Sequence, residues 1–95
     1  MSLAMSSKVV VAADVLSSDM GPEHVLLNLR DGMYYSLEAV GSEIWRLLQR
    51  PITVEEICRV VSETHDVDPG RCRADVVRLL SEMAERRLVD LRTDT

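Results

Sequence analysis

The chain is poor in the residues that make chemistry conspicuous. It has two cysteines, two histidines, four glycines and three prolines among 95 residues. No pair of cysteines or histidines stands at a ligand spacing such as C-x-x-C or H-x-x-x-H, so no metal site is expected, and His24 and His65 read as surface residues. The glycines are scattered and build no phosphate-cradling loop. Cys58 and His65 fall about two turns apart on one expected helix, beyond hydrogen-bond reach, so no nucleophile and base pair up, and neither a catalytic residue nor a cofactor is expected. Cys58 and Cys72 sit on apolar faces, where a free thiol acts as a small hydrophobe, which fits a reducing, cytoplasmic setting. The longest apolar run, Val9 to Ala13, is far shorter than the ~20 residues of a membrane span. Met1 to Ser7 lacks the charged and apolar regions of a secretory signal. A formal charge of −5 opposes a phosphate backbone and argues against nucleic acid as a partner.

What is present is one small domain, with 46% hydrophobic and 28% charged residues. Residues 1–7 read as a disordered N-terminus or expression scar, and residues 8–92 as the domain. The first half has period two. Val9, Val11, Ala13 and Val15 share a face in Lys8 to Val15, which predicts a strand, and the Ser, Asp, Gly and Pro content of Leu16 to Glu23 predicts a loop. In His24 to Arg30, Val25, Leu27 and Leu29 are expected inward and His24, Asn28 and Arg30 outward, with Leu26 breaking the polar side. Asp31-Gly32 suits a two-residue type I′ turn into a strand from Met33 to Leu37. That strand places Met33, Tyr35 and Leu37 on one face and Tyr34 and Ser36 on the other.

The second half has helical period. Val40, Ile44, Leu47 and Leu48, with Trp45 beside them, predict a helix over about Glu38 to Gln49. Pro51 interrupts it, and Thr53 with Glu56 forms a capping box for a second helix over Val54 to Thr64 that buries Val54, Ile57, Cys58 and Val61. Asp68-Pro69 opens a third helix reaching about Arg87, and Leu88 to Arg92 is either a short strand or a tail. On a wheel, Cys72, Val76, Val77, Leu79, Leu80, Met83 and Ala84 of the third helix cover about 160°, wider than the ~100° stripe needed to dock on a core. Arg73 lies within that arc, and the opposite face is expected to carry ion pairs such as Arg71–Asp75 and Arg78–Glu82.

Two binding modes compete. A hairpin and three helices are the inventory of a winged helix-turn-helix, whose third helix would enter duplex DNA through Arg71, Arg73, Arg78, Arg86 and Arg87, although Asp75, Glu82 and Glu85 are interleaved with them. Alternatively, Met33 to Leu37 is a sheet edge without proline or lysine, open to an added peptide strand or to a second copy of the chain unless the tail from Leu88 covers it.

The run Asn28-Leu29-Arg30-Asp31-Gly32-Met33-Tyr34-Tyr35-Ser36-Leu37, followed by Gly41-Ser42-Glu43-Ile44-Trp45 and Thr53-Val54-Glu55-Glu56-Ile57, resembles the PqqD-like family of precursor-peptide recognition elements in the biosynthesis of ribosomally made, modified peptides. The resemblance extends over about residues 8–92, with Glu38 where many relatives carry Asn or a similar helix cap. It implies an α+β, winged helix-turn-helix-like fold with a three-stranded antiparallel sheet packed on three helices, and no catalysis. It further implies a leader peptide added as a strand beside Met33, Tyr34, Tyr35, Ser36 and Leu37, with its side chains in a groove flanked by Arg73, Val76, Val77 and Leu80. Asp75 and Leu79 on the other flank stay open, and Ile44 and Trp45 are expected in the core. The chain looks most like the stand-alone form of lasso-peptide pathways, serving a leader peptidase and a cyclase. A PqqD role, presenting a precursor to a radical SAM enzyme, is the alternative.

Overall fold

The computed structural model describes residues 5–92. In chain order these form β1 (Lys8–Val11), β2 (Val15–Asp19), β3 (Glu23–Asn28), β4 (Met33–Glu38), α1 (Val40–Leu47), β5 (Ile52–Thr53), α2 (Val54–His65), α3 (Pro69–Glu85) and β6 (Val89–Arg92). The strands make two three-stranded antiparallel sheets, ordered β5-β1-β6 and β2-β3-β4. Of the segment expected to stand outside the domain, residues 1–4 lie outside the described residues. The Met5 and Ser7 carbonyls accept hydrogen bonds from the Glu55 and Val54 amides at 3.0 Å, so ordered chain begins before Lys8.

The N-terminal half departs from the single sheet expected there. The strand beginning at Lys8 ends at Val11, and the chain crosses through Ala12 to Asp14 into the second sheet. Leu16 to Asp19, expected as loop, are strand: β2 is an edge whose residues after Val15 are exposed, so it needs little apolar patterning. The inward phase of β3 is also reversed. His24, Leu26 and Asn28 are buried, while Val25 and Leu27 are half-buried on the other face. The polar pair is tolerated because it is satisfied. His24 Nδ1 shares a hydrogen bond with Ser42 Oγ of α1, Asn28 Nδ2 donates to the Arg86 carbonyl at 2.9 Å, and Asn28 Oδ1 accepts from the Arg30 amide. His24 is therefore not a surface residue.

The connection to β4 is a four-residue turn, 29–32, and not a two-residue one, since Asn28 pairs with Met33 and Leu29 and Arg30 leave the strand. Of Asp31 and Gly32 only Gly32 has positive φ, at 71°. The turn is closed by the Gly32 amide on the Asn28 carbonyl and by the Met33 amide on Asp31 Oδ1. Leu16, Leu27 and Tyr34 are cross-strand neighbours and form a partly exposed apolar row on the outer face.

The helices follow their sequence signals closely. Thr53 caps α2 by accepting from the Glu56 amide, and Asp68 caps α3 by accepting from the Arg71 amide, with Pro69 in the first turn. The core gathers Val9, Leu26, Ile44, Trp45, Leu48, Val54, Ile57, Cys58, Val61, Cys72, Val76, Leu80, Met83, Leu88 and Val89. On α3, Arg78 pairs with Asp75 at 3.6 Å, in place of the Arg71–Asp75 and Arg78–Glu82 pairs. Arg87 takes a left-handed conformation after α3, and Leu88 N donates to the Met83 carbonyl at 2.9 Å, which turns the chain back into β6. Strand β6 pairs with β1 and leaves β4 uncovered.

Candidate functional site

Strand β4 bonds only to β3 within its sheet, so its other edge presents unpaired backbone N–H and C=O groups. Its side chains alternate as the sequence predicts. Tyr35 and Leu37 are half-buried on the helix-facing side, and Tyr34 and Ser36 are exposed on the other. Met33 shares the inner row with buried Asn28 but is 53% exposed at the end of the strand.

Two contacts show which flank of α3 faces β4. At Gly41, a Cβ would stand in ordinary contact with Leu37 Cδ2 at 3.6 Å and Leu79 Cδ2 at 3.7 Å, so at this point α1 has the strand end and α3 as neighbours. Farther along, the Arg86 guanidinium carbon lies 5.3 Å from the centre of the Tyr35 ring, a cation–π contact. Leu79 and Arg86 therefore lie toward the inner row of β4. At 100° per residue, Arg73 and Val77 lie roughly 130° and 170° around the helix from that direction. The remaining expected groove residues, Val76 and Leu80, are fully buried and belong to the core. The structure thus brings Leu37 near Leu79 and Tyr35 against Arg86, and turns Arg73 and Val77 away from that side. Arg86 was legible only as one of several surface cations, because its role depends on where α3 ends relative to β4.

Off the C-terminal end of β4, α1, α2 and α3 enclose an open cavity of about 370 Å³. Val40, Val61, Val67, Cys72, Val76 and Leu79 give it apolar walls, and His65, Asp75, Arg78 and Glu82 contribute polar groups. His65 Nε2 pairs with Glu43 Oε2, joining the end of α2 to the start of α1.

The thiols are not reactive groups. Burial pushes Cys58 upward from its ordinary value, Cys72 adds to the shift, and the Arg73 charge opposes it. Cys72 is raised by burial and then by Asp75. Both are free and stay protonated at neutral pH. Among the described residues no group of three or more His, Cys, Asp or Glu is placed to hold a metal ion. Also among them, no helix is long and apolar enough to cross a membrane.

The family model described as coenzyme PQQ synthesis protein D (PqqD) matches residues 23–89, from the start of β3 into β6. The chain belongs to the PqqD family. TbiB1, solved in complex with the TbiA(beta) leader peptide, is 33% identical, with 90% of this chain and 99% of that chain covered at a TM-score of 0.83. Lasso peptide synthetase B1, solved with its leader peptide, is 16% identical over 86% of this chain and 96% of that one, at a TM-score of 0.77. The PqqD truncation of Methylobacterium extorquens PqqCD, a stand-alone recognition element solved by NMR, is 22% identical over 93% and 94%, at a TM-score of 0.73. The last two likenesses establish the shared fold. No curated protein matches the chain by sequence.

Proposed function

We propose that this protein binds the leader region of a ribosomally made precursor peptide by adding it as a strand to β4, and so delivers the precursor to modifying enzymes. The observation that carries this reading is the uncovered β4 edge, with Leu79 near its Leu37 end and Arg86 against Tyr35. Main-chain bonding along Met33, Tyr34, Tyr35, Ser36 and Leu37 supplies sequence-independent affinity, and alternate leader side chains enter the groove. Such a leader finds its helix flank in Asp75, Leu79, Glu82 and Arg86 rather than in Arg73 and Val77. TbiB1 supports the reading as a relative at 33% identity solved with a leader peptide bound.

We read the pathway type as the stand-alone one in which a leader peptidase and a cyclase receive the precursor, in keeping with the likeness to lasso peptide synthetase B1. The family description, which refers to coenzyme PQQ synthesis, favours a second reading in which a radical SAM enzyme receives it. In either case a bound precursor is held near the enzyme, which raises its effective concentration there.

The test is an amide NMR titration of labelled protein with synthetic leaders taken from small open reading frames beside its gene. Saturable shifts confined to residues 33–38 and the Leu79–Arg86 flank are expected. A folded protein that binds none of these peptides, or shifts only elsewhere, overturns the proposal. Adding each co-encoded candidate enzyme and measuring precursor cleavage or modification with and without this protein then separates the two pathway readings.

A further inference from the structure

Along the α3 flank of the groove, the charges are set out in a definite order. Helical rise puts Glu82 about 4.5 Å beyond Leu79 and about 6 Å before Arg86 along the axis. Leu79 and Leu37 both border the space over Gly41, and the Arg86 guanidinium lies over the Tyr35 ring. Glu82 therefore stands between the two points where α3 reaches β4, and it also lines the cavity off the strand end. The other charges around that cavity are accounted for: Asp75 is paired with Arg78 at 3.6 Å, and His65 with Glu43. Arg86 is engaged with the Tyr35 ring. Among the described residues Glu82 has no ion-pair partner, although it is exposed beside an apolar wall formed by Val40 and Leu79.

A strand added to β4 directs every second side chain toward α3, at intervals of about 7 Å. One such side chain, level with Leu37, meets Val40 and Leu79 at the cavity mouth. The next on the same face lies alongside Glu82. We infer that Glu82 selects leaders in which a large apolar residue is separated by one position from a lysine or arginine. The inference rests on strand addition at β4. The net charge of −5 works in the same direction, drawing basic segments toward the domain before they dock.

The probe is a displayed library of random 12-residue peptides, selected in parallel on the wild-type protein and on Glu82→Lys, with NMR mapping of the strongest binders. Glu82 is exposed, so the variant keeps the fold, and its amide spectrum verifies this. Wild-type selections are expected to enrich an apolar residue and a Lys or Arg one position apart, in either order, in peptides that map to β4. Glu82→Lys is expected to shift that second position toward Asp and Glu. It should weaken the best wild-type binder roughly three- to tenfold at low salt, and exchange of the peptide's basic residue for Glu should restore the loss. Peptides that map to β4 without a basic preference, or with a preference unchanged in Glu82→Lys, overturn the inference and leave strand addition standing. No enrichment, or binders that map away from β4, overturns both.

Discussion

At the scale of single residues, polar groups in the interior position the edge strand. Asn28 is 1% exposed and spends its amide on the Arg86 carbonyl and the Arg30 amide. Asn28→Leu removes both of these hydrogen bonds, so at about 0.5–1.5 kcal/mol each a loss of about 1–3 kcal/mol is expected in urea unfolding. The cysteines give a pH signature. Because folding raises both thiol pKa values, the unfolded chain loses protons first as pH rises, and the folded state is disfavoured from there upward. The thiols' contribution to stability should be level below about pH 8.5 and fall above it, and Cys58→Ala/Cys72→Ala should flatten that alkaline limb in thermal melts at stepped pH. His24 and Asn28 show why the phase of β3 differs from what its periodicity predicts. Periodicity assigns His and Asn outward by their polarity, and only the partners supplied by α1 and by the end of α3, Ser42 and Arg86, make the inward placement affordable.

At the scale of elements, the helices were legible because their signals are local. Thr53, Asp68 and Pro69 cap or start helices within a turn of themselves, and the structure uses each as the sequence suggests. The strand β2 was not, because an exposed edge built from Ser17, Ser18 and Asp19 has the composition of a loop, and its pairing with β3 is a tertiary fact. The groove flank was half legible. The apolar arc of α3 is real, but which part faces β4 depends on the crossing of two elements distant in sequence, and that crossing favours Leu79 over Arg73. Two predictions belong here. Ala39 joins β4 to α1 at φ 49° and ψ −119°, a conformation that burdens an L-residue, so Ala39→Gly should raise the unfolding free energy by about 1 kcal/mol. Along β4, successive N–H groups point alternately to β3 and to the free edge. One of Tyr34→Pro and Tyr35→Pro should therefore keep a native amide spectrum while losing peptide binding, and two folded variants with undiminished affinity would exclude backbone pairing at this edge.

At the scale of the whole molecule, the uncovered β4 edge can accept a second copy as well as a peptide. Sedimentation at rising concentration should show weak self-association that a saturating leader peptide abolishes, since both occupy one edge. Self-association that persists with peptide bound would place the dimer contact on another surface. With a net charge of −5, duplex DNA should bind weakly or not at all at physiological salt. The division of labour between the sheets follows from topology: β5-β1-β6 ties β1, β6 and the start of α2 together, and β2-β3-β4 is left to expose an edge.

The hydrogen bond from Asn28 to the Arg86 carbonyl also has a kinetic meaning. It fastens the last turn of α3 to the end of β3, next to the turn that launches β4, so the spacing between helix and strand is set before any ligand arrives. Encounter then needs no opening step in the protein, and association should run at the ~10⁵–10⁷ M⁻¹s⁻¹ of rigid docking, with differences among leaders expressed as residence times. Loosening that fastener should slow capture more than it hastens release.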